Sequence, residues 1–435
     1  MICLHSLTVC PKLANKTSEA KSLSAVKGLP NAPTVESYTG FITVNDKYDS
    51  NIFFWFIPAF KTPKTAPVVV WLEGGPGISS LFSLFTFGPL SVDPALNVTK
   101  RDNSWAEEVS VLYVDNPVGA GYSFTKNKLG YSRDENNVAD NLYEFLQQFY
   151  IVFDDYRANE LYIAGQSYGG KYVPALGYRL MVSAGVSRLN FRGIAVGNGL
   201  IDPIHQMNYA NVFKTMGLMD ELEAQEVHRR ETAIRTAITA KDYLKALQLY
   251  SDLMVSTPEL VGYATTTTGY AQFYDLYQSG PLYKSIVNTI KYLSKTQTRS
   301  AIHVGPLEYN FSNKTTGDYL HNDFMQSIEP NLTAIIDGKY KVLLFTGNFD
   351  LTVGVDSING LLEWKDWKYY KDYSLGKRFI WKVSPNDTQI AGYAKGFGNF
   401  NHVIVRDAGH CAQCDQPKAT LDMITRFIGS KPFGL

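Results

Sequence analysis

The chain has 435 residues, and its 41 Lys and Arg balance 41 Asp and Glu. That length holds one large α/β domain with an insertion, or two domains, and its core needs no disulfide staples. A net charge of zero gives no field to draw nucleic acid or anionic lipid, and no apolar run reaches the ~20 residues that cross a bilayer. The 28 tyrosines suit either a broad half-polar cleft or a large amphipathic core.

Residues 1–31 are polar and weakly patterned, and predict a loose leader. Met1 to Cys10 is mildly apolar but lacks the basic start and long apolar centre of a signal peptide. Ser37 to Val44 and Asn51 to Ile57 are aromatic and β-branched runs around a polar turn, which predicts an antiparallel hairpin. Pro67 to Leu72 and Val109 to Val114 are continuous apolar runs, the pattern of strands buried on both faces. The first ends in Glu73-Gly74-Gly75-Pro76-Gly77, a tight loop that exposes backbone N–H groups; no Gly-Lys-Ser/Thr follows, so it is not a P-loop. Asp134 to Tyr150 has helical periodicity at Val138, Leu142, Phe145, Leu146 and Phe149.

Glu160 to Ala164 is the next strand, and it runs directly into Gly165-Gln166-Ser167-Tyr168-Gly169. A helical pattern follows at Tyr172, Val173, Leu176 and Leu180. Strand, glycine-flanked serine and helix form the context in which a serine is held exposed on a sharp turn as a nucleophile. Arg192 to Val196 is a further strand, ending in Gly197-Asn198-Gly199. After Asp202-Pro203 the register changes: Tyr209 to Leu253 is charged and helix-forming, Tyr263 to Tyr270 predicts a mobile loop, and Pro281 to Lys295 is helical again. Strands resume at Tyr340 to Phe345, Lys377 to Val383 and Asn401 to Val405, and Pro417 to Ile428 closes the chain as an amphipathic helix. Strands alternating with helices predict an α/β fold with a mainly parallel central sheet flanked by helices. Its core comprises residues 32–202 and 339–435, and a mainly helical cap insertion at 203–338 covers the carboxyl edge where such sheets place their sites.

A serine nucleophile needs a base, and the base needs a carboxylate to fix its tautomer. Downstream of Ser167, Asp350 follows a buried strand through Gly347-Asn348-Phe349, and His410 follows another through Ala408-Gly409. Both therefore fall at carboxyl ends of strands, in the order Ser, acid, His expected of this elbow. Asp202, Asp356, His303, His321 and His402 are less well placed. Cys3 and Cys10, and Cys411 and Cys414, form two close pairs. Cys411-Ala412-Gln413-Cys414 has no second ligand pair, so a zinc site is not expected; a local disulfide or two free thiols remain open. Glycan acceptor sequences begin at Asn15, Asn97, Asn310, Asn313, Asn331 and Asn386, more than chance supplies, and point to the secretory pathway. No cofactor or metal motif is present.

These residues carry a family resemblance. Trp71-Leu72-Glu73-Gly74-Gly75-Pro76-Gly77-Ile78-Ser79-Ser80 is similar to the W-L-N-G-G-P-G-C-S-S signature of serine carboxypeptidases, and Gly165 to Tyr172 resembles their G-E-S-Y-A-G-x-Y. Asn348-Phe349-Asp350, Gly409-His410 with Asp415-Gln416-Pro417, and Asp115 to Ser123 resemble further family segments. Tyr340 to Leu343 and Ala301 to Gly305 resemble the vitellogenic-like branch. The resemblance implies an α/β-hydrolase fold and release of a C-terminal residue from peptides or proteins through an acyl-enzyme, at acidic pH, in a secreted or lysosomal setting. It assigns Ser167 as nucleophile, His410 as acid and base, Asp350 as its orienter, and the N–H groups of Gly75 and Tyr168 as the oxyanion hole. Trp71, Glu73, Gly74 and Gln166 stand where the family grips the substrate's terminal carboxylate.

The match departs from the pattern at that grip. The family's Asn and Glu are here Glu73 and Gln166, an exchange of acid and amide, and Thr86-Phe87 stands where a further Glu usually precedes Gly88-Pro89. Ile78 replaces a usual cysteine, which implies that one common disulfide is missing. Two carboxylates at hydrogen-bond distance share a proton, so Glu73 is expected to bind substrate in its protonated form. An acyltransferase and a non-catalytic binding protein on the same scaffold are the rival expectations; a lipase is disfavoured because the insertion shows no long apolar lid.

Overall fold

A computed structural model of the chain describes residues 8–9, 17–255, 257, 260–280 and 284–434. Cys3, Cys10 and Asn15 lie outside the described residues. The chain divides into two compact units, Met1–Ala195 with Tyr283–Leu320, and Val196–Leu282 with His321–Leu435.

The first unit contains β1 (Thr8–Val9), β2 (Tyr38–Asn45), β3 (Ser50–Ile57), β4 (Val68–Leu72), β5 (Leu90–Val92), β6 (Val98–Lys100), β7 (Ser110–Val114), β8 (Phe124–Thr125) and β9 (Leu161–Gln166). It also holds most of β10 (Phe191–Gly197), within which the chain passes to the second unit. The order across the sheet is β1-β2-β3-β7-β4-β9. The hairpin β2–β3 and the pair β3–β7 are antiparallel, whereas β7, β4 and β9 run parallel. Every residue of β4, β7 and β9 is buried, so their continuous apolar runs reflect helices on one face and packed side chains on the other. Asp134 caps the helix Glu135–Val152 by accepting from the Asn137 N–H at 2.8 Å, a contact of about 1 kcal/mol. That helix buries Val138, Leu142, Phe145, Leu146 and Phe149, and Phe54 and Phe56 meet Phe149 edge-on at 5.5 and 5.3 Å.

The second unit contains β11 (Lys341–Gly347), β12 (Arg378–Trp381), β13 (Gly392–Phe397) and β14 (Phe400–Val405), in the order β11-β14-β13-β12. β11 and β14 are parallel, and β13 and β12 add antiparallel. The helix Pro417–Ile428 buries Ala419, Met423, Ile424 and Phe427, as its periodicity predicts. Between β10 and β11 the chain is mainly helical. Glu221–Thr239 opens with a reciprocal capping box between Asp220 and Glu223, and pairs with Tyr243–Met254.

Several stretches differ from expectation or go beyond it. Tyr263–Thr268, expected to be a mobile loop, is a short helix that ends at Gly269 with φ 75°. Thr266 and Thr268 bond back to the Gly262 and Ala264 carbonyls, the i−4 pattern open to a hydroxyl within a helix. Within the leader, Thr17–Ser24 is helical, and Lys21 pairs with Asp155 at 2.6 Å. β13 was not expected at all. No helix among the described residues is long and apolar enough to cross a membrane.

Candidate active site

In the first unit β9 delivers the chain into Ser167, whose φ of 59° lies in the left-handed region. A non-glycine residue there carries about 1–2 kcal/mol of backbone strain, held by the strand before it and the helix Gly169–Val182 after it. The flanking glycine is a packing requirement: a Cβ on Gly165 would lie 2.4 Å from the Leu72 carbonyl oxygen of β4. The Gly74–Gly77 loop meets the same turn. A Cβ on Gly74 would lie 2.7 Å from both the Ser167 Cβ and the Tyr168 nitrogen, so the loop's bare backbone sits directly against the expected nucleophile and one expected oxyanion donor. Gly75 has φ 114° and precedes a cis peptide bond to Pro76.

Polar contacts inside the unit pin this loop. The Glu73 N–H donates to Ser80 Oγ at 3.0 Å, Ile78 N–H to the Gly74 carbonyl at 3.2 Å, and Ser79 N–H to the Phe311 carbonyl at 3.0 Å. Ser79 Oγ in turn donates to Asp115 Oδ1 at 2.6 Å, and Tyr122 N–H to Asp115 Oδ2 at 2.9 Å. Asp115 is fully buried, and burial pushes its carboxyl up to about 7, although the Ser79 and Tyr122 donors work in the opposite sense. A carboxyl that holds its proton better when folded stabilises the fold in acid. That contribution is lost as the pH rises from roughly 4 through 7. At about 1.4 kcal/mol per unit, wild type is expected to lose about 2–3 kcal/mol between pH 5 and 7 relative to Asp115→Asn. Paired denaturant titrations at the two pH values check this; parallel pH dependences would contradict it.

Glu73 is only 3% exposed, and its carboxylate collects three donors. Gly74 N–H reaches Oε1 at 3.2 Å, Trp71 Nε1–H reaches Oε2 at 3.3 Å, and the Ser83 hydroxyl donates to the same Oε2. Ser83 went unnoticed in the sequence, because the fully buried helix Leu81–Thr86 shows no polar stripe that would single it out. Where the family usually has a second Glu, Thr86 bonds to the Phe82 carbonyl at 3.0 Å and Phe87 packs on Trp71 at 4.7 Å, so no carboxyl comes from that position. Gln166, next to Ser167, is buried.

The second unit brings Asp350 and His410 together. Asp350 follows β11 and His410 follows β14, and their parallel pairing puts both loops at one end of the strands. His410 Nδ1 lies 2.7 Å from Asp350 Oδ2, with both side chains buried. Asp350 also accepts from the Thr352 N–H at 2.7 Å and from Asn198 Nδ2 at 2.6 Å. Only protonated Nδ1 can donate to this carboxylate, so Nε2 is the nitrogen left for proton transfer. His410 is held by its own N–H, which donates to the Tyr274 carbonyl at 2.7 Å, and by the Tyr274 ring 4.8 Å away. Gly409 N–H donates to Asp415 Oδ2 at 2.8 Å, and burial raises the Asp415 carboxyl above its usual range.

Asn198 is the second residue that sequence reasoning missed. Its Oδ1 accepts from Gly347 N–H at 3.2 Å while its Nδ2 holds Asp350. The signal was an amide between two glycines at a strand end, Gly197-Asn198-Gly199. Cys411 and Cys414 form a disulfide directly after His410, which settles the open choice against free thiols. Among the described residues no group of three or more His, Cys, Asp or Glu has the arrangement of a metal site.

The competing residues have other partners. Asp202 pairs with His205, and Asp356 accepts from Asn211 at 2.9 Å. His303 Nδ1 meets Thr39 Oγ1 at 2.8 Å, and burial lowers its pKa. His402 is buried against the Tyr373 hydroxyl at 2.8 Å and is depressed to about 4, chiefly by burial. His321 lies on the helix Lys314–Phe324.

The strand order, the serine elbow and the paired acid and histidine at strand ends define an α/β-hydrolase. The crystal structure of Kex1(delta)p, a prohormone-processing carboxypeptidase from Saccharomyces cerevisiae, has the same fold, with a TM-score of 0.83 at 19% identity over 94% of this chain and 96% of that one. The Serine carboxypeptidase family model matches residues 28–430. Probable serine carboxypeptidase CPVL of Homo sapiens is 37% identical over 96% of this chain and 88% of its own length. The vitellogenic carboxypeptidase of Aedes aegypti is 35% identical over 95% and 87%, and the venom serine carboxypeptidase of Apis mellifera 35% over 98% and 91%. The chain belongs to the serine carboxypeptidase family, hydrolases that act on peptide bonds.

Proposed function

We propose that Ser167, His410 and Asp350 act as one catalytic set that removes C-terminal residues from peptides. His410 Nε2 takes the Ser167 hydroxyl proton as Oγ bonds to the scissile carbonyl carbon. The C–N bond then breaks, the leaving amine takes that proton from the imidazolium, and Ser167 is left acylated. Water, deprotonated by the same imidazole, then bonds to the ester carbon; the C–Oγ bond breaks, the imidazolium returns its proton to Ser167 Oγ, and the shortened peptide leaves. The N–H groups of Gly75 and Tyr168 stabilise the oxyanion, a term of about 3 kcal/mol per donor. The observation that carries this reading is the approach of Gly74 to within contact of the Ser167 Cβ and the Tyr168 nitrogen, which the two expected oxyanion donors require.

Trp71, Glu73, Gly74 and Gln166 hold the terminal carboxylate in this reading. Glu73 already accepts three donors, so it offers a substrate carboxylate no donor of its own. A substrate carboxylate beside it therefore enters together with one proton, so affinity rises in acid. His410 must be neutral to act as base, which sets the opposite, acid limb. Wild-type kcat/KM is expected to fall by up to about tenfold per pH unit on the alkaline side, the slope of a single proton. Glu73→Gln, which needs no shared proton beside a substrate carboxylate, is expected to flatten that limb and to exceed wild type at pH 7–8. Assays with a peptide library from pH 4 to 8 check this, and a flat wild-type profile rejects the shared proton. If no library member is shortened at any pH, the exopeptidase reading itself fails.

A secretory or lysosomal location accompanies the activity in this proposal. Exposed Asn97, Asn310 and Asn386 and the Cys411–Cys414 disulfide support it. The amide nitrogens of Asn97 and Asn313 already donate, to Asp93 Oδ2 at 3.1 Å and to the Gly119 carbonyl at 2.7 Å, so these two support it less than Asn310 and Asn386.

A further inference from the structure

We infer that the first unit carries a second binding site, for an organic cation: the ammonium or guanidinium group of a polyamine or of a basic peptide side chain. The site is a cavity of about 510 Å³ between the end of β2, the segment Leu129–Ser132 and the helix Glu135–Val152. A volume of this size falls among those of small-ligand pockets, roughly 300–1,000 Å³.

Its lining is rich in acceptors and holds no Lys or Arg. Asp46, Asp140 and Glu144 supply carboxylates, of which Asp140 is already paired with Arg179 at 2.7 Å. The acidic lining alone would be a solvated face; Gln148 makes it more. This residue is 4% exposed, and its Nε2 donates to the Thr43 carbonyl at 2.8 Å and to Glu144 Oε1 at 2.7 Å. Both amide protons are thereby used on acceptors, which fixes the amide's orientation and leaves Oε1 buried with no donor. A buried acceptor without a donor is costly unless something arrives to fill it. Tyr48 and Tyr131 add two aromatic rings to the lining, surfaces that attract cations; the Lys47 ammonium already lies 5.2 Å from the Tyr48 ring, and Tyr131 stacks on Tyr319 at 5.1 Å. The chemistry missing from the cavity is a multidentate hydrogen-bond donor with positive charge.

The site is separate from the nucleophile. β2 is antiparallel to β3, and β3 to β7, so β2 ends on the same sheet edge as β7, β4 and β9. Four strand spacings of ~4.8 Å place it about 20 Å from Ser167.

Calorimetric titration of the full chain tests the inference with two probes at matched ionic strength. One is spermidine. The other is acetyl-Gly-Arg-Gly-amide, whose blocked end denies it the grip for a terminal carboxylate. At least one probe is expected to bind, with Kd raised at least tenfold in Asp46→Asn/Glu144→Gln. The charge-matched control Glu363→Gln/Asp366→Asn, on the exposed surface of the second unit, is expected to bind as wild type does. Binding of spermidine alone identifies a polyamine site, and binding of the peptide identifies a site for basic side chains. Binding of neither probe, binding that survives the lining variant, or an equal loss in the control overturns the inference. Thermal melts of both variants verify that each is folded.

Discussion

Ser167→Ala is expected to lower kcat by about 10⁴- to 10⁶-fold while KM changes by less than roughly threefold, because the acyl-enzyme path is removed and the binding surface is kept. The alanine occupies the same left-handed backbone position, φ 59°. The turn therefore keeps its strain, and a methyl group still packs against Gly74. Residual turnover of about 10³–10⁴ over water would come from the oxyanion donors and from binding alone. Burst kinetics with an ester substrate and a circular-dichroism melt measure the two halves of the expectation. A variant that melts like wild type and retains more than about a hundredth of its kcat would show that another group delivers the attack.

Asp350→Asn is expected to cost about 10⁴-fold in kcat. The carboxylate oxygen Oδ2 accepts from His410 Nδ1 at 2.7 Å and from Asn198 Nδ2 at 2.6 Å. With the asparagine oxygen in the Oδ2 place both donors are kept, but the NH₂ then faces the Thr352 N–H, which Asp350 Oδ1 accepts at 2.7 Å, and the imidazolium loses its counter-charge. With the oxygen turned to Thr352, the NH₂ faces Nδ1 and selects the tautomer protonated on Nε2, which cannot accept the serine proton. Either way kcat falls far more than KM, and the loss persists across the pH range. A deficit under tenfold, or one repaired by raising the pH, would remove Asp350 from the orienting role.

Much of this site was legible in the chain because its chemistry follows buried strands. β4, β7, β9 and β11 are apolar at nearly every position, and the residues after them fall at strand ends by construction. What stayed hidden has local physical causes. β13 carries Gly392 and Gly396, poor strand formers. Yet a Cβ on Gly392 would lie 1.9 Å from the Ile404 carbonyl oxygen, so the close pairing with β14 is what selects glycine. Tyr263–Thr268 has a β-branched composition that argues against helix, and its six residues are too few to show a helical period. The helix Leu81–Thr86 is buried on every side, so it has no amphipathic period to detect. Asn198 and Ser83 act through other side chains, Asp350 and Glu73. Such roles depend on which loops fold back together, and no spacing along the chain encodes that.

The exchange of acid and amide at Glu73 and Gln166 was visible as a departure, but its surroundings were not. Trp71, Gly74 and Ser83 all donate to the Glu73 carboxylate. The donors thus come from a strand, a loop and a buried helix, whose meeting no spacing along the chain encodes.

The central claim, that Ser167 is a nucleophile made reactive by His410, is tested most directly by covalent labelling with a fluorophosphonate. Intact-mass and peptide analysis should find one adduct per chain, on Ser167, and its rate should fall at least about a thousandfold in His410→Ala. An unlabelled Ser167, or one labelled equally fast without the imidazole, would contradict the account.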